Sequence, residues 1–222
     1  MERDVLREDL QKLYTATDMV KADCGGCKGC SDCCRGMGDS IKLDPYDIYI
    51  LEQNLHLDFQ QLMQQYLELN VSEGNILPNL KMAAGTDSCA FLNGSGRCSI
   101  HGFRPGLCRL FPLGRYYHDQ GFSYYLQQYE CPKQNKTKVK INKWLGTPNL
   151  KQYEDFILKW HDLLKKIKTL LENQEDEGLK KDLNMYVLNL FYITPVQGDF
   201  YVEFENRLLQ TEKLLSVLEQ NK

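Results

Sequence analysis

Apolar residues near the start of the chain recur at a spacing of three to four positions. Within residues 2–21 they are Val5, Leu6, Leu10, Leu13 and Tyr14. Side chains at this spacing share one face of an α-helix, so the stretch predicts an amphipathic helix. The same segment is rich in charge and lacks the continuous apolar core of a secretory signal peptide.

Two further helices have recognisable start signals. Asp44 can cap the first helix, and Pro45 suits its first turn, where an amide hydrogen would have no partner. The apolar face of this helix continues through Ile48, Leu51 and Leu55. Asp58 predicts the start of a second helix, with apolar positions at Phe59, Leu62, Met63, Tyr66 and Leu67. Both patterns are typical of helices that pack on a core.

Between Asn75 and Tyr129 the pattern changes to short apolar segments bounded by Gly, Pro and Asn. The segment CAFLNGSGRCSI has two such stretches around the turn residues Asn93-Gly94-Ser95-Gly96, which predicts a hairpin. A hairpin at this place brings Cys89 and Cys98 close together.

After Cys131 and Pro132, the lysine-rich segment KQNKTKVKINK predicts a solvated linker. Three apolar stripes at helical spacing then predict three consecutive amphipathic helices, which pack on one another. The stripes are Phe156, Trp160, Leu163, Leu164, Ile167 and Leu171, then Leu183, Tyr186, Val187, Leu190 and Phe191, then Phe204, Leu208, Leu215 and Leu218.

Composition and charge exclude several classes of function. The chain has 222 residues, of which 42% are hydrophobic and 26% charged, which is ordinary for a globular protein. A net charge of −3 provides no general electrostatic surface for nucleic acid. No stretch is long and apolar enough to span a bilayer. We therefore expect a cytoplasmic protein that binds neither nucleic acid nor membrane.

Nine cysteines change this picture. Five of them lie in the run CGGCKGCSDCC, and the other four are spread over the irregular region. Disulfides are typical of secreted chains with an even count, and pairs inside the run would close strained loops two residues long. Thiolates on a glycine-rich backbone can instead converge on a thiophilic metal. The predicted metal ligands are Cys24, Cys27, Cys30, Cys33, Cys34, Cys89, Cys98, Cys108 and Cys131.

The spacing of the first cysteines favours iron–sulfur chemistry over zinc. Cys24, Cys27, Cys30 and Cys34 follow the bacterial ferredoxin spacing, although Arg35 stands where proline is usual. A Cys-Pro pair also occurs later, at Cys131. Cys-x2-Cys pairs serve zinc equally well, so a closed four-thiolate zinc site built from two such pairs stays the alternative.

Nine thiols exceed the four ligands of a single tetrahedral ion. Either two centres exist, or one polynuclear cluster uses more ligands, or some cysteines are spectators. Adjacent Cys33 and Cys34 are expected to point in different directions and to serve two centres, or one centre and the core. Cys89 and Cys108 can alternatively be small buried hydrophobic side chains.

Three neighbouring residues have polar side chains that bear on the site. His101 follows Cys98 by three positions and is either a ligand or a structural hydrogen-bonding residue. Arg104 and Arg109 flank Cys108, where their guanidinium groups either donate to thiolate sulfurs or form surface salt bridges.

Two linked motifs together resemble a known family. Cys27-x2-Cys30-x2-Cys33-Cys34, followed by CAFLNGSGRCSIHGFRPGLCRLFP and Cys131, resembles the YkgJ-type CxxCxxCC cysteine-cluster family. That resemblance covers about residues 24–132 and implies zinc or iron chelation, often as an iron–sulfur protein. It places the family's cysteines on every cysteine of this chain except Cys24. The family also includes flagellin lysine-N-methylases.

The predicted fold is α+β and mostly α, with an irregular cysteine-rich core, short hairpin strands and a C-terminal helical extension. Residues 1–132 form a metal-binding domain with N-terminal helices, and residues 133–222 form the linker and helices. The favoured function is an iron–sulfur protein that transfers electrons or supports a protein-modification reaction. The alternatives are a zinc module whose helices bind an unknown protein partner, and a protein-lysine N-methyltransferase-like enzyme acting on an unknown substrate.

Overall fold

A computed structural model describes residues 8–25, 30–119, 121–172 and 174–220. Helices account for 47% of it and strands for 20%, which confirms the prediction of an α+β, mostly α fold. The strands are β1 Met19–Asp23, β2 Leu67–Ser72, β3 Asn75–Leu80, β4 Leu113–His118, β5 Gly121–Leu126 and β6 Thr137–Lys140. The α-helices are α1 Pro45–Leu55, α2 Phe59–Gln65, α3 Gly106–Leu110, α4 Ile141–Leu145, α5 Leu150–Glu172, α6 Glu177–Leu188 and α7 Phe200–Gln220. Within the described residues, no helix combines the length and apolar character needed to cross a bilayer.

The chain divides into two compact units, each built from two separate stretches. The first unit comprises Met1–Ile41 and Leu80–Tyr153, and the second comprises Lys42–Asn79 and Glu154–Lys222. All cysteines that the structure describes belong to the first unit. The predicted functional boundary after residue 132 stays a prediction, because the units are defined by packing and not by function.

Two antiparallel strand pairs organise the first unit. β1 pairs with β6, with Val20 opposite Val139, and β4 pairs with β5 as a hairpin. The segment before β1 is joined to this hairpin at Tyr14. The amide of Tyr14 donates to the carbonyl of Tyr124, and the amide of Tyr124 donates to the carbonyl of Tyr14, each at 2.8 Å. The buried residues at this centre are Val20, Ala22, Leu110, Leu113, Tyr124, Ile141 and Leu145.

The prediction of a helix over residues 2–21 is wrong for the part that the structure describes. Residues 8–23 hold only the short 3₁₀ helix Asp9–Gln11 and strand β1. Exposed and buried side chains alternate from Met19 to Ala22, which is the period of a strand. The first residues of the predicted helix, including Val5 and Leu6, lie outside the described residues.

The prediction of a solvated linker at 133–143 is wrong from residue 137 onward. Thr137–Lys140 form β6, and the next residues begin α4. The lysines alternate with Val139, which is partly buried against the core, so their charges lie on the solvent side of the strand. Pairing with β1 explains why such a polar segment is ordered.

The second unit contains the helices that the sequence predicts. Asp44 caps α1 and Asp58 caps α2, each in a capping box closed by the side chain three residues later. The predicted second helix ends at Gln65, and Leu67 begins β2. The three C-terminal stripes lie on α5, on α6 with its π-helical continuation Asn189–Ile193, and on α7.

Aromatic side chains form the centre of the second unit. Phe156 and Phe204 are each 2% exposed, and their rings meet edge to face at 4.6 Å between centroids. Trp160 packs on Phe191 at 5.1 Å. Buried Arg207 donates to the carbonyls of Leu190, Thr194 and Pro195 and so pairs backbone oxygens around the end of the π-helix.

Candidate metal centre

The early cysteines lie between the end of β1 and a short 3₁₀ helix. Cys24 follows β1 directly, and Asp32–Cys34 form the helix. Asp23 accepts a hydrogen bond from the amide of Gly25 at 2.9 Å, which turns the chain out of the strand. Cys27 lies outside the described residues.

Backbone hydrogen bonds hold these cysteines against the later ones. The carbonyl of Cys34 accepts from the amide of Cys89 at 2.7 Å, and the amide of Gly36 donates to the carbonyl of Asp87 at 2.7 Å. The guanidinium of Arg35 adds a bond of 2.7 Å to the Ser88 hydroxyl. Two stretches separated by more than fifty residues are therefore joined at the position where each carries a thiol.

The predicted hairpin between Cys89 and Cys98 is present as a compact turn. The Asn93 side chain accepts from the amides of Ser95 and Arg97, each at 3.0 Å. Below the turn, Leu92 and Cys98 form an isolated antiparallel bridge in place of the predicted strands. The reversal carries Cys98 back toward Cys89, as the sequence predicts.

Six cysteine side chains line one cavity, which we call the larger cavity. They come from the early cysteine run, from the turn and from α3: Cys30, Cys33, Cys34, Cys89, Cys98 and Cys108. The cavity measures about 70 Å³, against roughly 10–15 Å³ for one water molecule. Apolar side chains such as Met82, Phe91 and Ile100 complete its wall. Thiols in apolar surroundings are donors suited to zinc or iron.

A second group of thiols lines an adjoining space, which we call the smaller cavity. Cys24, Cys131 and Asp32 line only this one, whereas Cys30 and Cys33 line both. It measures about 20 Å³. Every predicted ligand in the described residues therefore faces one of two adjoining cavities.

The two adjacent cysteines differ from the expectation that they point to different places. Cys33 and Cys34 both line the larger cavity, and their Sγ atoms are 3.9 Å apart. Both residues belong to the 3₁₀ helix Asp32–Cys34, in which successive side chains are rotated by about 120° and do not point to opposite faces as in a strand. Two thiolates at 2.3 Å from one tetrahedral ion lie about 3.8 Å apart, so this pair already has that separation.

The other thiols are less tightly gathered. Within residues 8–25, 30–119, 121–172 and 174–220, no three Cys, His, Asp or Glu side chains lie close enough together to hold an ion. The Cys33–Cys34 pair is thus the preformed part of the larger cavity, and the remaining thiols line its wall.

The protonation of that pair is uneven. A hydrogen bond from the Cys34 thiol lowers the pKa of Cys33, and the nearby Arg104 contributes in the same direction. The same hydrogen bond and burial raise the pKa of Cys34 far above its ordinary value. Burial also raises the pKa values of Cys89 and Cys98. The pair therefore favours a thiolate at Cys33 and a retained proton at Cys34, and metal binding displaces the protons of the thiols it uses.

The two arginines have different surroundings. Arg104 lines the larger cavity, donates to the carbonyl of His101 at 2.8 Å, and lies 3.2 Å from the Nδ1 atom of that ring. Arg109 donates to the carbonyls of Arg104 at 3.0 Å and Gly102 at 2.7 Å. Arg104 therefore places its charge at the thiols, while Arg109 supports the loop that carries Arg104.

His101 also lines the larger cavity. Burial and the neighbouring arginines lower its pKa, which keeps the ring neutral and able to act as a ligand or an acceptor. Ligation by His101 stays a prediction.

Two contributors have weak signals in the sequence. Asp32 accepts from the Cys30 thiol at 3.4 Å, and only its place inside the cysteine run marks it. Trp144 lies thirteen positions after Cys131, and nothing in its sequence context points to the site. Its side chain lines both cavities, and its indole N–H donates to the carbonyl of Phe111 at 3.1 Å.

Comparison with known proteins agrees with this arrangement. The family model CxxCxxCC, described as "Putative zinc- or iron-chelating domain", matches residues 26–141, just over half of the chain. The chain belongs to the CxxCxxCC family. The match contains both motifs that the sequence resemblance rests on, and it leaves Cys24 outside. No curated protein matches the chain. No solved structure matches it either.

Proposed function

We propose that this member of the CxxCxxCC family holds an iron–sulfur cluster in the larger cavity. The observation that supports this proposal is the number of thiols that line this one cavity. Six face a single cavity of about 70 Å³, which is more donors and more room than one tetrahedral ion uses. When bound, such a cluster supplies reversible one-electron chemistry.

The chain's own residues fit that task in two further ways. Apolar side chains around the cavity, among them Ile100 and Phe111, limit the access of water to the thiols. Arg97 and Arg104 bring positive charge to the same wall, which offsets the negative charge of several thiolates. Apolar shielding and charge are both means by which a protein sets the potential of a cluster.

A single zinc ion is the second candidate, and one distance is compatible with it. The Sγ atoms of Cys33 and Cys34 are 3.9 Å apart, which suits two thiolates on one tetrahedral ion. The same separation suits two thiolates on one iron of a small cluster. The pair therefore supports a tetrahedral metal of either kind, and the metal has to be identified by analysis.

The deciding experiment is anaerobic purification of the full chain, followed by measurement of iron, acid-labile sulfide and zinc. We expect iron and sulfide in similar amounts, and visible absorption that dithionite bleaches. Colourless anaerobic protein with stoichiometric zinc would contradict the proposal and favour the zinc module.

A matched pair of double variants locates the cluster. C89S/C98S removes two thiols that line only the larger cavity, and C24S/C131S removes two that line only the smaller one. We expect the first variant to lose iron and sulfide and the second to retain them. Retention in C89S/C98S would place the cluster elsewhere.

A further inference from the structure

The described cysteines fall into three groups according to which of the two cavities they line. Four face only the larger cavity: Cys34, Cys89, Cys98 and Cys108. Cys24 and Cys131 face only the smaller one, and Cys30 and Cys33 face both. The larger cavity therefore has four thiols that do not line the smaller cavity, which is the number of ligands that one tetrahedral metal ion uses.

Pairing of β1 with β6 brings together Cys24 and Cys131, the two thiols that line only the smaller cavity. Asp23, at the end of β1, pairs with Thr137 at the start of β6. Cys24 follows Asp23 in the chain, and Cys131 lies in the segment that leads into β6. The Lys136 ammonium donates to the carbonyl of Cys131 at 2.9 Å and holds that segment folded back.

Cys30 is the shared thiol with the stronger link to the smaller cavity. Its thiol donates to the Asp32 carboxylate at 3.4 Å, and Asp32 lines the smaller cavity but not the larger one. Cys33, in contrast, has its thiol beside Cys34 in the larger cavity. The smaller cavity is thus provided with three thiols and one carboxylate.

We propose that the smaller cavity is a second metal centre, which binds a single thiophilic divalent cation through Cys24, Cys30 and Cys131 with Asp32 as fourth donor. A space of about 20 Å³ is close to what one ion occupies and is much smaller than the larger cavity of about 70 Å³. Zinc accepts this mixture of thiolate and carboxylate ligands. Lys133, on the same wall, offsets part of the negative charge that four anionic donors bring.

These donors line the cavity without lying at bonding distance, so binding has to draw them inward. Cys24 also lies outside the part of the chain that matches the family. The second centre thus includes one donor from outside the family match, and it does not depend on which metal occupies the larger cavity.

The test uses cobalt(II) as the probe, added anaerobically to the purified full chain with its larger-cavity metal in place. Tetrahedral cobalt with thiolate ligands has an intense visible ligand-field band. We expect one equivalent of cobalt to bind in the wild type, and the band to disappear in C24S/C131S, which keeps all four thiols that line only the larger cavity. Iron and sulfide analysis of the same samples reports the cluster proposed for the larger cavity separately.

Two controls keep the test decisive. Asp32→Asn replaces one donor without removing a thiol, so we expect weaker cobalt binding with an unchanged larger-cavity metal. Far-UV circular dichroism identifies any variant that fails to fold, in which case the single variant Cys24→Ser replaces it. Wild-type binding of cobalt by folded C24S/C131S, or by folded Cys24→Ser and Asp32→Asn, would overturn the proposal. Loss of both metals together in folded C24S/C131S would also overturn it, because it would indicate one shared centre.

Discussion

The two compact units differ in the secondary structure and packing that stabilise them. In the second unit, long helices bury aromatic rings such as Phe156 and Phe204 against one another. In the first unit, the cysteine region from 30 to 37 and from 87 to 110 contains only short helices, turns and isolated bridges. From this comparison we infer that side-chain packing is the main source of stability in the second unit, and we propose that a bound metal stabilises the cysteine region of the first.

Metal removal should give the largest difference between the units. We expect chelation under reducing, anaerobic conditions to abolish amide protection in residues 30–37 and 87–110. Protection in α6 and α7 should persist, because no thiol supports them. Metal binding contributes on the order of 10 kcal/mol to folding in small zinc domains. Hydrogen exchange measured by mass spectrometry checks this, and equal protection before and after chelation would break the comparison.

The reverse experiment removes packing from the second unit. Phe156→Ala should lower the free energy of unfolding by about 3–5 kcal/mol, because it leaves a cavity among the rings that meet Phe156. The metal content should not change. Val202→Ala is the matched control, since Val202 is 63% exposed and its loss should cost less than about 0.5 kcal/mol. Loss of metal from Phe156→Ala would show that the units are not independent.

A carboxylic acid gives the second unit its own pH dependence. Burial and the nearby Asp58 raise the pKa of Glu52 from 4.5 to about 7. Between these values the unfolded chain has released the proton and the folded chain retains it, so stability falls as pH rises through this window. Glu52→Gln should therefore gain about 1 kcal/mol near pH 8, after allowance for solvent screening, and almost nothing near pH 4.5. Urea unfolding at the two pH values tests this, and parallel curves for both proteins would contradict it.

The smallest effect concerns the charge beside the larger cavity. If the cluster is iron–sulfur, Arg104→Gln should lower its reduction potential by about 40 mV, because a positive charge favours the reduced state. Arg104→Lys keeps the charge and should restore most of the potential. Arg109→Gln is the control, since that guanidinium bonds to the carbonyls of Arg104 and Gly102. Redox titration measures all three, and equal shifts for Arg104→Gln and Arg109→Gln would assign Arg104 a purely structural role.

Local signals in the sequence predicted the helices of the second unit well. Asp44 with Pro45, and Asp58 with Gln61, are capping sequences whose effect depends on residues within one turn. The convergence of the cysteines was also predictable, because a turn at Asn93 brings Cys89 and Cys98 back toward each other whatever the rest of the chain does.

The strands were harder to predict because their partners are distant in sequence. β1 and β6 pair across more than a hundred residues, and β6 is too rich in lysine to indicate a strand by itself. β2 and β3 were missed although Glu73-Gly74, with φ of 50° and 81°, form a two-residue hairpin turn that the sequence does signal. The division of thiols between two cavities depends on side-chain direction, which spacing alone does not determine.

The hydrogen bond from Cys89 to Cys34 has a consequence for biosynthesis. Fifty-five positions separate the two residues, and the stretch 42–79 of the second unit lies between them. At usual translation speeds, roughly 3 to 11 seconds pass between synthesis of Cys34 and synthesis of Cys89. During that interval the early thiols are open to oxidation and to capture of other ions, and loading of the proposed centre, which includes Cys89, would follow the emergence of Cys89 from the ribosome.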